Sequence, residues 1–350
     1  YAVAKTDNTV ETAFTKSIKK DFYAAYNPMA NTIKFYEVTK PKTVAAIPLT
    51  SKGKFDKVFT PVSSETLSIS AKHDLQIFCL KFDDFDFDYH GLWKHLRNNI
   101  GYYVYSRAQI ETYMEDDEIS ALAYDAIAYI KKAISDGKLP TGNELGELLL
   151  YIFLEQVLGA PKLMSKVEIG NHAGFMTSES SGIHLLTANE DVPFTQVILG
   201  TSMINGDLQT AIDSAFSDAQ KLKSRKDERQ FVETNIFAAS FPTKIYDQLE
   251  AIILPSETGS QKPATAFGMF VGYSLSGMSA SGKPVNEYQD DVLEQVRNDI
   301  KNNVSFIESK ITQYGLDGYS MYIYLLPFAD ADEDKKDIMD KLLQSEGGQV

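Results

Sequence analysis

The sequence predicts an α/β (α+β) fold: a mixed sheet core flanked by helices, with an N-terminal accessory region. Three observations predict it. Residues 144–218 read helix, strand, strand, strand, helix. Further apolar strands follow near residues 266 and 319, separated by a long amphipathic stretch. Residues 1–70, by contrast, carry the weakest periodicity of the chain. The expected division is therefore an accessory region over 1–70 and a principal domain over 71–350, with its core at about 141–330.

Each element has its own warrant. Val10, Phe14, Ile18 and Phe22 recur every four residues and predict a helix over 7–26, stopped by Asn27-Pro28. Residues 33–38 and 43–47 read as short strands on either side of Pro41. Residues 52–61 read as a polar turn and a short strand, and 77–82 as a strand. The run from Asp83 to Asp88 alternates acid and aromatic. A calcium loop needs oxygen ligands at fixed spacing and a turn glycine, so an edge strand or loop is expected. A helix over 92–100, a strand over 102–105 and helices over 108–114 and 118–135 follow. The acidic cluster Met114 to Glu118 reads as a solvated helix start rather than a metal site. Residues 137–142 mark a boundary.

The organising segment begins at Glu144. Leu145, Leu148, Leu149, Ile152, Phe153 and Val157 give the helix over 144–158 one strongly apolar face. Strands are expected over 161–169, 182–186 and 194–203. Leu208, Ala211, Ile212, Ala215 and Phe216 then mark an amphipathic helix. Beyond it, 231–241 is mixed, 244–254 is a helix ended by Pro255, and 256–263 is a Ser/Gly/Pro loop. The strand over 266–273 carries Gly268 and Gly272, which allow close backbone approach. The Gly/Ser loop over 274–284 lacks the Gly-x-x-x-x-Gly-Lys-Ser/Thr pattern, so no nucleotide site is expected. A long or broken helix over 287–313, a strand over 319–326 ending at Pro327 and a charged helix over 330–343 complete the chain.

Composition narrows the function classes. The chain has 350 residues, 43% hydrophobic and 23% charged, as a globular protein does. Its net charge of −14 repels phosphate, so nucleic-acid contact would need a local basic patch. Lys221, Lys223, Arg225 and Lys226 form the densest one, although a solvated helix end is the favoured reading of them. Cys79 is the only cysteine and sits in an apolar run, which excludes an intramolecular disulfide. No apolar run is long enough to span a membrane, and the first residues show no signal-peptide order, so no membrane association and a cytoplasmic location are expected.

A resemblance adds to this reading. The Gly146-Glu147 helix, Pro161-Lys162-Leu163, Gly182-Ile183-His184, Leu199-Gly200, Phe267 to Tyr273 and Tyr322 to Phe328 resemble the HamA family. These are effector subunits of the Hachiman antiphage system, a family also represented by AbpA. The resemblance runs from about Leu75 to the C-terminus. It implies a restriction-endonuclease-like core of the PD-(D/E)xK type, Mg²⁺ chemistry, and pairing with a HamB-like helicase through which DNA is reached. Four ionic groups are implied. Glu147 matches the helix glutamate, but Ser181, Thr201 and Met203 stand where Asp, Glu and Lys are expected.

Hydroxyl and thioether groups cannot replace carboxylates on a divalent cation, which sheds its waters reluctantly. Loss of one preorganised charge costs about 10²–10³ in rate. The expectation is a catalytically inactive antiphage subunit acting as binding or regulatory partner of the helicase, with no cofactor. The alternative is an active Mg²⁺-dependent deoxyribonuclease using relocated groups from Glu168, Glu179, Asp207, Lys162 and Lys166. Taken alone, Glu147 reads as a core-edge glutamate, Met203 as a packing residue and His184 as a hydrogen-bonded structural histidine.

Overall fold

The computed structural model describes residues 22–27, 32–37, 52–67, 73–137, 142–170, 180–189, 192–224, 240–242, 245–246, 249, 263–277 and 279–344. Strands β1 (Phe22–Asn27) and β2 (Thr32–Glu37) form an antiparallel hairpin. Residues 22–26, expected as the end of a helix, are thus extended: the four-residue spacing gives way to cross-strand pairing. The expected strand over 43–47 and the rest of that helix lie outside the described residues.

A short helix α1 (Lys52–Phe55) precedes β3 (Phe59–Thr66) and β4 (His73–Leu80). The acid–aromatic run folds as a tight hairpin, β5 (Phe82–Asp83) with β6 (Asp86–Phe87). Helix α2 (Tyr89–Val104) is capped by Asp88, whose carboxylate accepts from the Gly91 amide. It absorbs residues 102–104, expected as a strand. Leu96, Ile100, Tyr103 and Val104 continue one buried helical face, and burial of that face overrides the β-preference of the tyrosines. Ser106 and Gln109 form a capping box that starts α3 (Arg107–Glu115), followed by α4 (Leu122–Ser135).

Helix α5 (Glu144–Gln156) leads to β7 (Lys162–Ser165) and the short α6 (Lys166–Gly170). The expected strand over 161–169 therefore breaks at Ser165. Its hydroxyl accepts from the Glu168 amide, and the Glu168 carboxylate accepts from the Ser165 amide, which is a second capping box. Strands β8 (Gly182–Leu186) and β9 (Gln196–Ile204) and helix α7 (Leu208–Ser224) match expectation. The same holds for β10 (Ala264–Ser274), and α8 (Val285–Gln313) is unbroken. β11 (Ser320–Phe328) runs through Pro327, which pairs with Tyr273, and α9 (Ala331–Gln344) follows. The expected helix over 244–254 lies largely outside the described residues.

Seven strands form one sheet in the order β3-β4-β11-β10-β9-β8-β7. The four from β4 to β9 are parallel, and both flanks are antiparallel. Every residue of β11 is buried, as a central strand covered on both faces requires. β3 belongs to this sheet, and its register shifts beside Pro61, as suits an edge. One face packs α5, with α2, α4 and α9 beside it; the other packs α7 and α8. Alternation sorts the residues. Phe270 and Tyr324 meet Phe153 of α5, whereas Tyr273 donates to Asp299 of α8 at 2.9 Å. Gly200 and Gly268 let α5 lie close. A Cβ there would stand 2.7 Å from Leu150 Cδ2 and 2.9 Å from Leu154 Cδ2. No helix among the described residues is long and apolar enough to cross a membrane.

Candidate functional site

Three polar groupings surround α5, and they take in Ser181, Lys162, Glu168, His184, Glu147 and Lys166 among the predicted residues. The first is neutral. Asn143, at the N-cap of α5, does not cap its own helix. Its amide donates instead to Ser202, at 2.8 Å to the carbonyl and 2.9 Å to the hydroxyl. Ser202 and Ser181 share a hydrogen bond of 3.0 Å, and the Ser181 amide donates to Gly200 O. Gly146 faces the same spot: a Cβ there would lie 3.2 Å from Ser202 Oγ. Ser181 thus sits beneath the start of α5, but its companion is Ser202. Thr201 and Met203 pair with Met269 and Val271 and, by strand alternation, lie on the sheet face opposite α5. Thr201 is buried with its hydroxyl unpartnered, and Met203 packs on the core. Sequence reasoning missed Asn143 and Ser202. The signal was present, because a residue two positions after Gly200 shares the face on which that glycine admits the helix.

The second grouping is charged and buried. Lys162 is 1% exposed, and its ammonium donates to Glu168 Oε2 at 2.8 Å, Tyr105 O at 2.7 Å and Tyr103 O at 3.0 Å. All three donors are used. Burial holds its pKa below the usual lysine range, opposed by Glu168. The Lys162 amide donates to Glu155 Oε1. Glu168 is thus engaged by Lys162 and by the Ser165 amide. His184 lies nearby with Nδ1 2.8 Å from Ala160 O; a carbonyl only accepts, so Nδ1 carries the proton. Burial pushes its pKa down to about 3, which makes it a neutral structural histidine.

The third grouping is a pocket of about 20 Å³, the scale of one water, lined by Glu147, Glu144, Lys166, Tyr103 and Met339 among others. Tyr103 donates to Glu147 Oε2 at 3.3 Å. Burial pushes Glu147 up to about 7; Lys166 opposes the shift and Glu144 adds to it. A titratable acid displaced toward neutrality in a cleft is the kind of group that functional sites contain.

The remaining candidates lie apart. Asp207 caps α7, accepting from the Thr210 amide at 2.7 Å and hydroxyl at 2.6 Å. Lys221 pairs with Asp218, and Lys223 donates to Gly315 O and lies over the Tyr319 ring. Glu179, Arg225 and Lys226 lie outside the described residues. Among the described residues no three or more His, Cys, Asp or Glu side chains converge as metal ligands. Cys79 is a buried free thiol, pushed up to about 12 by burial.

A mixed seven-stranded sheet between helix layers, with three polar groupings around one apolar helix, defines an α/β protein. The chain belongs to the HamA family, whose model matches residues 54–342. It is by that membership an antiphage-defence protein of the Hachiman type. No curated protein sequence matches it.

Proposed function

We propose that this chain is a catalytically silent, nuclease-like subunit of an antiphage complex, acting as the binding or regulatory body for a HamB-like helicase that contacts DNA. The neutral knot of Asn143, Ser181 and Ser202 carries this reading. Beneath the helix that bears Glu147, uncharged groups satisfy one another, where a nuclease would need carboxylates on Mg²⁺ and a lysine near the phosphate. The donor set fits the ion poorly. Glu147 and Glu144 stand beside a lysine, and Glu168 is engaged by Lys162. A near-octahedral oxygen shell asks for more.

The test is incubation of the purified chain with Mg²⁺ or Mn²⁺ and single-stranded, double-stranded or nicked DNA. The expected result is no cleavage above buffer, identical for wild type and Glu147→Ala. Metal-dependent cleavage lost in Glu147→Ala overturns the proposal. Co-purification with a helicase subunit tests the partnership separately.

One observation favours a second reading, an active Mg²⁺-dependent deoxyribonuclease with relocated groups: Glu144, Glu147 and Lys166 share one pocket. That reading requires the pocket to open well beyond its present volume.

A further inference from the structure

Among the described residues, the exposed large apolar side chains are Met114 (55% exposed), Ile119 (37%) and Tyr124 (57%). All three fall in one stretch, the last turn of α3, the turn that follows it and the first turn of α4. Residues Met114 to Ser120 are all exposed, and four consecutive acids, Glu115 to Glu118, lie among them. The turn is built, with Asp117 at a φ of 58° and the Glu118 amide donating to Tyr113 O at 2.8 Å. Beside it runs a groove of about 250 Å³. Tyr105 and Tyr113 line it, with ring centroids 5.4 Å apart, and Asp116 and Glu118 stand on its rim. Tyr113 is held by a hydrogen bond to Asp125 at 2.8 Å.

Clustered apolar exposure marks interaction surfaces. The rim states what kind of partner fits. The four carboxylates of the turn, two of them lining the groove, repel a phosphate backbone or an anionic bilayer and attract ammonium or guanidinium groups. Aromatic faces bind such cations as well. We propose that the α3–α4 turn is a docking surface for a protein partner presenting an apolar segment with Lys or Arg beside it. A cationic side chain enters the Tyr105–Tyr113 groove between Asp116 and Glu118, and apolar side chains cover Met114, Ile119 and Tyr124. This goes beyond the functional reading above and stands whether or not the chain cleaves DNA.

The test uses the full chain and a fluorescent amphipathic Leu/Lys helical peptide, with a Leu/Glu peptide and duplex DNA as comparisons. The Leu/Lys peptide is expected to bind. Its affinity should fall about tenfold or more in Asp116→Lys/Glu118→Lys and, separately, in Met114→Ser/Ile119→Ser/Tyr124→Ser. Charge reversal elsewhere, in Asp337→Lys/Asp340→Lys on α9, should leave it within about twofold, so that net charge is not the cause. All variants alter exposed or partly exposed side chains, and circular dichroism confirms folding. Equal affinity for wild type and both turn variants overturns the proposal. So does an equal loss in the α9 variant, or tighter binding of duplex DNA than of the Leu/Lys peptide.

Discussion

Lys162 and Lys166 are four residues apart, both buried and both beside α5, yet their surroundings differ. Lys162 is locked, with three donors on three oxygens inside the protein. Lys166, 8% exposed, faces Glu147 and Glu144 around a small pocket. Burying a charge costs several kcal/mol and is recovered only when geometry and hydrogen bonds are complete. Lys162 meets that condition and is architectural: it ties β7 and α6 to the carbonyls where α2 ends. Lys166 faces an acid that can shed its charge near neutral pH. The difference shows which charges hold the fold and which remain adjustable.

The largest expected effect comes from the locked pair. Lys162→Met strands Glu168 and two carbonyls and should cost about 3–5 kcal/mol in urea unfolding, with Lys162→Met/Glu168→Gln recovering a large part. Lys166→Met should cost less, about 1–2 kcal/mol, because Glu147 can take up a proton in response. Equal losses from the two single substitutions would break the contrast.

Glu147→Gln sharpens it. The folded-state pKa of Glu147 is raised from 4.5 to about 7. Its contribution to stability is therefore complete below 4.5 and is lost as pH rises through about 7. Glutamine imitates the protonated acid, so the variant should gain on the order of 1 kcal/mol at about pH 8 and show a flatter melting profile across that window. In Lys166→Met the window should move upward, since Lys166 holds the Glu147 value down. The smallest effect lies on the far face. Thr201→Val removes a buried, unpartnered hydroxyl and should stabilise by about 0.5–1 kcal/mol, read as a higher melting temperature.

The central sheet was legible because its strands are buried on both faces and read as near-continuous apolar runs. Boundaries were harder where two signals competed. Tyr102 to Tyr105 has strand-like composition, but Tyr103 and Val104 extend the buried stripe of Leu96 and Ile100. Ser165-Lys166-Val167-Glu168 carries the capping-box pattern, which the apolar run around it masked. That the side chains at 181, 201 and 203 are uncharged can be read directly from the sequence. Which of them meet in space cannot, because a period of two separates Thr201 and Met203 from Ser202, and only the pairing of β9 with β10 and the placing of α5 reveal the face.

Glu168 holds two posts at once: it begins α6 by accepting from the Ser165 amide, and it neutralises Lys162. Both contacts fall on Oε2, so displacing that oxygen would uncap a helix and orphan an ammonium in the interior. Drift at the two positions is thereby coupled, and relatives that lose the acid at 168 are expected to lose the lysine at 162 in the same step.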